Sequence, residues 1–328
     1  MIDNYKKIKK LGSGGQGVVY LVMKNSNKFA LKIDHIIDSD IHKNLKSYIW
    51  RDIEFSNYMF NKYPNHFIKL IEYDFIDNCK NKYKIKIPID NLTQQINEIN
   101  NCNLCSRRIY QYVDYTLDKI IDKINIQQVY SIIIQLAYII YIMHNEGYVH
   151  GDLHEYNIGI IITKKKYITI LNYKVKTFGY IVKLIDYGRV LHKKYILKMT
   201  DFNVHEKVLL KNDMINEIKR INFIVTTFPI YKNLPMSVWK KWDNIMNQFI
   251  MSNEYNYIKS LIPNITDNNE LYNLYLLIYP EKAQKQILKK NYIKVIPSKL
   301  RIPLCNYIFL ITNNNPVKII EYFYNILL

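Results

Sequence analysis

Apolar residues recur along this chain in two rhythms, and each predicts a different kind of element. β-Branched and aromatic residues dominate two runs, VVYLVM (18–23) and KFALKID (28–34), which Asn25, Ser26 and Asn27 separate with turn-forming side chains. That pattern predicts a β-hairpin. Residues 47–60 (SYIWRDIEFSNYMF) follow a helical spacing, and 67–75 (FIKLIEYDF) return to a strand. From about Gln127 to His144 the chain is apolar on most of a helix's circumference, as expected of a buried helix, and Gly147 ends it. Residues 164–188 then alternate through three strand-like pieces, with an extended hairpin expected around 163–178. A further helix is predicted to begin near Asp213. Past Asn222, helical stretches are separated by prolines from Pro229 to Pro316, and the asparagines at 313–315 predict a turn before a terminal helix.

One stretch breaks the pattern. Residues 77–107 are polar and rich in asparagine, longer than an ordinary connection between strands, and read as an insertion in the sheet.

With 328 residues, 49% of them apolar, the chain can bury the core of one large domain or two medium ones. The N-terminal residues show no apolar signal core. The longest apolar run, 130–143, contains Gln135 and falls short of the roughly 20 residues that a membrane span needs. No membrane span is expected. The net charge of +18 comes from lysines spread along the whole chain, with no dense basic block and no aromatic nucleic-acid motif. Diffuse charge of this kind predicts non-specific adhesion at low salt, not specific nucleic-acid binding.

Cys79, Cys102, Cys105 and Cys305 are too few and too unevenly placed for a disulfide framework, which favours a reducing compartment, cytoplasm or nucleus. Cys102 and Cys105 form a C-x-x-C, but a structural zinc site needs four ligands and only Cys79 stands nearby. No metal is expected at these cysteines.

The chemistry-bearing residues fall into an ordered series. Gly12, Gly14 and Gly17 make a G-x-G-x-x-G followed by Val19, a backbone able to fold closely over phosphate oxygens. A dinucleotide fingerprint would need a helix after the glycines, and VVYLVM is a strand. Ala30 and Lys32 follow in an A-x-K arrangement; read blandly, Lys32 is a solvated lysine, but it stands fifteen residues after Gly17. The predicted helix at 47–60 offers Glu54 as a carboxylate to position that lysine, with Asp52 two residues away, and either is also readable as a solvated helix charge. After the long helix comes YVHGDLHEYN, in which Asp152 could meet a substrate hydroxyl and Asn157 a metal ion; their bland roles are a turn and a cap. Asp186 then opens the tripeptide Asp186-Tyr187-Gly188, 29 residues after Asn157.

Glycine loop, lysine, H-G-D-L-H-x-x-N and D-Y-G together resemble the protein kinase superfamily, with Gly151 where most members carry arginine, His154 where Ser/Thr kinases carry lysine, and tyrosine for the phenylalanine of D-F-G. The match runs from residue 11 to about 225 and is similar to the shortened kinases of large DNA viruses. It implies an α+β, bilobal protein-kinase-like fold: a small β-rich N-lobe at 1–110, a hinge at 111–117 and a larger, mainly helical C-lobe at 118–328. It also implies ATP and Mg2+ as cofactors and a protein Ser/Thr hydroxyl as acceptor, in an intracellular setting, cytoplasm or, for a viral product, host cell or virion.

Residue by residue, Gly12, Gly14, Gly17, Val19, Ala30, Lys32 and Glu54 are implied around the nucleotide, with Tyr112 and Val113 beside adenine. Asp152, Asn157 and His154 are implied at the transferred phosphate, and Asn157 with Asp186 on the metal. Without the arginine at 151, activation-loop phosphorylation is not expected to be needed. No A-P-E tripeptide follows Asp186, and H-G-D-L-H-x-x-N also resembles aminoglycoside phosphotransferases. A small-molecule kinase and a pseudokinase scaffold therefore remain as alternatives.

Overall fold

The computed structural model describes residues 2–13, 17–36, 40–43, 45, 47–77, 79, 103–192, 216–218, 220, 221, 224, 250–261, 312, 313 and 315–328. Gly14, most of the 77–107 insertion, Cys102, Cys305, Asp213 and the proline-separated stretches from Pro229 to Pro303 lie outside them, apart from one helix noted below.

The chain is mixed α+β. Five antiparallel strands, β1 (Lys6–Ser13), β2 (Gly17–Lys24), β3 (Asn27–Ile36), β4 (Leu70–Ile76) and β5 (Leu104–Gln111), form a sheet in the order β1-β2-β3-β5-β4. The β2–β3 turn is two residues long, and both Asn25 and Ser26 take positive φ, 49° and 64°, which matches the twist of the flanking strands. β5 begins at Leu104, so the last four residues assigned to the insertion from sequence belong to the sheet.

Helix α1 (Tyr48–Lys62) buries Ile49, Asp52, Ile53, Ser56 and Met59, a stripe at helical spacing, together with Trp50 and Phe55. A charged residue inside that stripe is unusual, and Asp52 is only 1% exposed.

The second half is built on α3 (Ile126–Asn145), reached through β6 (Tyr115–Thr116) and the single-turn helix α2 (Leu117–Ile120). Asn125 and Gln128 close a reciprocal capping box at the start of α3. The helix is buried on nearly every side, and its one central amide has a use. Gln135 accepts from Val182 N at 2.9 Å and donates to Tyr180 O at 3.1 Å. It thereby pins β11 (Tyr180–Leu184), which pairs with β8 (Ile158–Ile162) and through it with β6.

The expected hairpin near 163–178 is present as β9 (Tyr167–Ile170) and β10 (Tyr173–Lys176). β7 (Tyr148–Val149) pairs with β12 (Leu191–His192). Helix α4 (Asn253–Leu261), the terminal helix α5 (Pro316–Leu327) and two 3-10 turns, Ile2–Asn4 and Glu155–Asn157, complete the described elements. The predicted turn before α5 is there: Asn315 caps it, accepting from Val317 N and Lys318 N, and Phe323 packs against Tyr130 of α3.

Among the described residues, two buried clusters hold the elements together. The smaller lies under the sheet around Val22, Ile33 and Ile109, and the larger joins α1, α3, β8, β11 and α5. Glu146, just past α3, latches α1 onto the second half by accepting from Tyr58 Oη at 2.5 Å, Lys62 Nζ at 2.7 Å and Tyr63 Oη at 2.7 Å. Among the described residues, no helix is long and apolar enough to cross a membrane.

The cysteine expectation needs correction. Cys79 and Cys105 are joined as a disulfide, with Cα atoms 6.0 Å apart, because β4 and β5 bring the two ends of the insertion together.

Candidate active site

β3 carries Lys32 to the junction of the two halves. Across the ladder it faces Val19 on β2 and Arg108 on β5, and Ala30, two residues earlier, shares its side of the sheet. Lys32 Nζ donates to Asp186 Oδ1 at 2.6 Å and lies 3.8 Å from Asp52 Oδ2.

Glu54 is not at this site. Its side chain is half exposed and pairs with Lys43 at 2.7 Å. The reason is helical geometry: two residues along an α-helix turn the side chain by about 200°, so Asp52 on the buried stripe and Glu54 face opposite ways. Asp52 is the α1 carboxylate that reaches Lys32. Burial pushes its carboxyl up to about 6, against the pull of Lys32. Arg108, wholly buried, closes ion pairs with both Asp52 and Asp34. A buried guanidinium of this kind needs such partners, since an unpaired charge in the interior is strongly destabilising.

The glycine loop is described on its flanks only. Gly17 stands so close to β3 that a Cβ there would fall 2.1 Å from Ile33 O and 2.2 Å from Asp34 Oδ1. Only glycine fits. Gly12, opposite Val19, faces open space.

Asp186 follows β11 with φ +62°, a left-handed conformation that aspartate tolerates better than most residues. Next to it, Tyr187 is fully buried, its hydroxyl donating to Leu184 O and its ring 4.6 Å from Phe55 of α1 and 5.9 Å from His150. Burying Tyr187 on this side turns Asp186 toward Lys32. Burial works to raise the Asp186 carboxyl, but Lys32 by charge and hydrogen bond, with Arg108 behind it, holds it at about 2.

The loop after β7 is fixed from beneath. Glu217 accepts from His150 N at 2.5 Å and Gly151 N at 3.0 Å, while its other oxygen lies 2.9 Å from His144 Nε2. His150 is itself buried, which lowers its pKa and keeps the ring neutral, with Nε2 3.2 Å from Ile185 O. Gly151 has φ +73°, and a Cβ there would meet Arg189 O at 2.5 Å. An arginine at 151 would therefore be strained in both backbone and space.

Asn157 joins the two ends of the site. Its Nδ2 donates to Asp152 O at 2.9 Å and Asp152 Oδ2 at 3.4 Å, and its backbone O accepts from Ile185 N, next to Asp186, at 3.0 Å. His154 Nε2 lies 3.7 Å from Asp152 Oδ2, and Arg189 Nη1 lies 3.5 Å from Oδ1. The neighbouring His154 lowers the Asp152 pKa most; burial opposes it and Arg189 helps. Asp152 is therefore ionised at neutral pH and partly open to solvent.

Tyr112 and Val113 lead from β5 into β6. Asp114 secures them to the second half, its N–H donating to Ile160 O at 2.9 Å and its carboxylate accepting from Ile162 N at 2.8 Å. Lys28 of β3 sits 5.9 Å above the Tyr112 ring.

Lys32 thus pairs with Asp186, and Asn157 bonds to Asp152 and, through its backbone O, to Ile185 before Asp186; Gly12, Gly17, Val19 and Ala30 lie on β1, β2 and β3. Asp52, set second to Glu54 from sequence, had a signal in its place in step with Ile49 and Ile53. Arg108, Glu217 and Arg189 had none, because their positions depend on strand register or long-range approach. In comparison with known proteins, the chain matches no family model and no curated sequence.

Proposed function

We propose that the chain is an ATP-dependent kinase that transfers the γ-phosphoryl group to Ser/Thr hydroxyls of a protein, on a bilobal protein-kinase-like fold. Residues 1–110 are read as the N-lobe, 111–117 as the hinge and 118–328 as the C-lobe. The observation that carries the reading is the 2.6 Å pair between Lys32 and Asp186, with Asn157 bonded by its amide to Asp152 and by its backbone O to Ile185, the residue before Asp186. A cation from the sheet half and two carboxylates and an amide from the other half fit a triphosphate and its metal better than a packing role, because Lys32 and the Asp152 and Asp186 carboxylates retain access to solvent.

Magnesium prefers hard oxygen donors, and Asp186 with the amide oxygen of Asn157 would hold it; when bound, it neutralises phosphate charge. Lys32, steered by Asp52, would hold the inner phosphates. Ionised Asp152 aligns the acceptor hydroxyl and takes its proton as the new O–P bond forms and ADP departs. Val19, Ala30, Tyr112 and Val113 would line the adenine side, and His154 would meet the transferred phosphate beside Asp152.

The H-G-D-L-H loop supports a second acceptor class. Gly151, locked at positive φ against Arg189, keeps the loop in the form whose sequence resembles small-molecule phosphotransferases. The test is ATP labelled at the γ-phosphate, incubated with the protein, a lysate and a metabolite panel. Labelled Ser/Thr in protein supports the first reading, a labelled metabolite the second, and absence of transfer to either overturns both.

A further inference from the structure

His35, Cys79 and Cys105 meet beneath the sheet, each no more than 2% exposed. Three elements converge there: His35 on β3 stands opposite Cys105 on β5, and Cys79 follows β4, its N–H donating to Asn103 O at 3.2 Å. We propose that this trio is a zinc site, filled when the two cysteines are reduced.

The geometry of the imidazole carries the argument. His35 Nδ1 lies 3.6 Å from Cys105 Sγ and 3.8 Å from Cys79 Sγ. In a tetrahedral zinc site, with Zn–S near 2.3 Å and Zn–N near 2.0 Å, the N···S edges come to about 3.5 Å and the S···S edge to about 3.8 Å. The nitrogen therefore already stands where the site requires it relative to both sulfurs. Only the sulfur pair has to open. A buried disulfide has no use for a ring nitrogen directed at both of its atoms, whereas two thiolates and a neutral imidazole are a donor set that suits zinc. Sequence spacing placed Cys79 alone near the C-x-x-C; the register of β3 against β5 adds the histidine. The trio supplies three of the four donors of a tetrahedral site, and water can complete it.

The chemistry balances with a dithiol reductant. Two electrons and two protons from the dithiol open the Cys79–Cys105 bond to two thiols, and the reductant becomes a disulfide. Zinc then displaces both thiol protons as the Zn–S bonds form. Filled, the site closes the loop between Cys79 and Cys105, 26 residues apart, at its base. It also braces the end of β3, where the His35 carbonyl accepts from Tyr48 Oη of α1 at 3.0 Å. The metal is thus placed to support the sheet, on the face opposite Lys32, which stands three residues earlier on β3.

The test is metal content and cobalt substitution on the full chain purified under a dithiol reductant, with free thiols titrated on the same sample. We expect one zinc per chain, thiolate-to-cobalt charge-transfer absorption after exchange, and a fall in thermal midpoint on chelation. Cys105→Ser and His35→Ala should each lower the metal content at least tenfold. Folded wild-type protein with reduced thiols that binds neither zinc nor cobalt would overturn the proposal, as would a Cys79–Cys105 bond that survives the reductant. Because the decisive measurements are made on wild type, misfolding of a variant leaves the test intact, and the zinc site stands or falls apart from phosphoryl transfer.

Discussion

Lys32 Nζ and Asp186 Oδ1 are 2.6 Å apart although 154 residues separate them in the chain. The pair joins the N-terminal sheet to the second half of the chain, with the Lys32 side chain 15% and the Asp186 side chain 47% exposed. Asp186→Ala is expected to abolish metal-dependent phosphoryl transfer. Lys32→Met should lower kcat by roughly 10²-fold or more, with far-ultraviolet circular dichroism unchanged. Single-turnover assays on folded protein check both, and near-normal turnover in either variant contradicts the assigned roles.

Asp52 and Glu54 make a paired experiment. Asp52→Ala leaves Arg108 with one buried partner where it had two, and should destabilise the protein by about 3 kcal/mol while depressing kcat. Glu54→Ala removes a surface pair with Lys43 and should change stability by no more than about 0.5 kcal/mol. Urea unfolding of the two variants decides the matter; equal effects would mean that α1 presents a different face.

At Gly151, alanine is expected to destabilise by at least about 1 kcal/mol, since it meets both a positive φ and the Arg189 carbonyl. Arginine, the residue that the family resemblance would lead one to restore, should be worse. Thermal melts of the two variants test this, and a wild-type midpoint in Gly151→Arg would show that the loop has another conformation.

Glu146 gives a pH signature. Lys62, then Tyr58, hold its carboxyl down at about 2 despite burial, with Tyr63 adding to the effect. A depressed carboxyl pKa stabilises the folded chain above the unfolded pKa near 4.5, and the contribution is lost as pH falls through about 2. The stability gap between wild type and Glu146→Gln should therefore be constant above about pH 5 and shrink between about pH 4 and 2. Urea titrations at a series of pH values measure it; a gap that widens on acidification would reverse the sign.

Much of the architecture could be read from residue pattern, because local signals agreed with tertiary need. The Asn25-Ser26 turn, the largely apolar α3 and the alternation through β9, β10 and β11 each had one sensible reading. Gln135 looked like a blemish in an apolar run, and its purpose emerged only with β11 beside it. The choice between Asp52 and Glu54 was available in the helical stripe, but the more familiar glutamate drew the assignment. Arg108, Glu217 and His35 could not have been placed, since their roles depend on strand register or on segments more than sixty residues apart coming into contact. The departure at Gly151 was visible as a letter; its cause, the Arg189 carbonyl, was not.

The most direct measurement is γ-phosphoryl transfer by wild type and Asp152→Asn, with ATP binding determined on the same preparations. Measurable transfer by wild type, a loss of roughly 10²-fold or more in the variant and retained ATP affinity in both are the predicted results. Full transfer by Asp152→Asn, or ATP binding without transfer to any hydroxyl by wild type, would contradict the account.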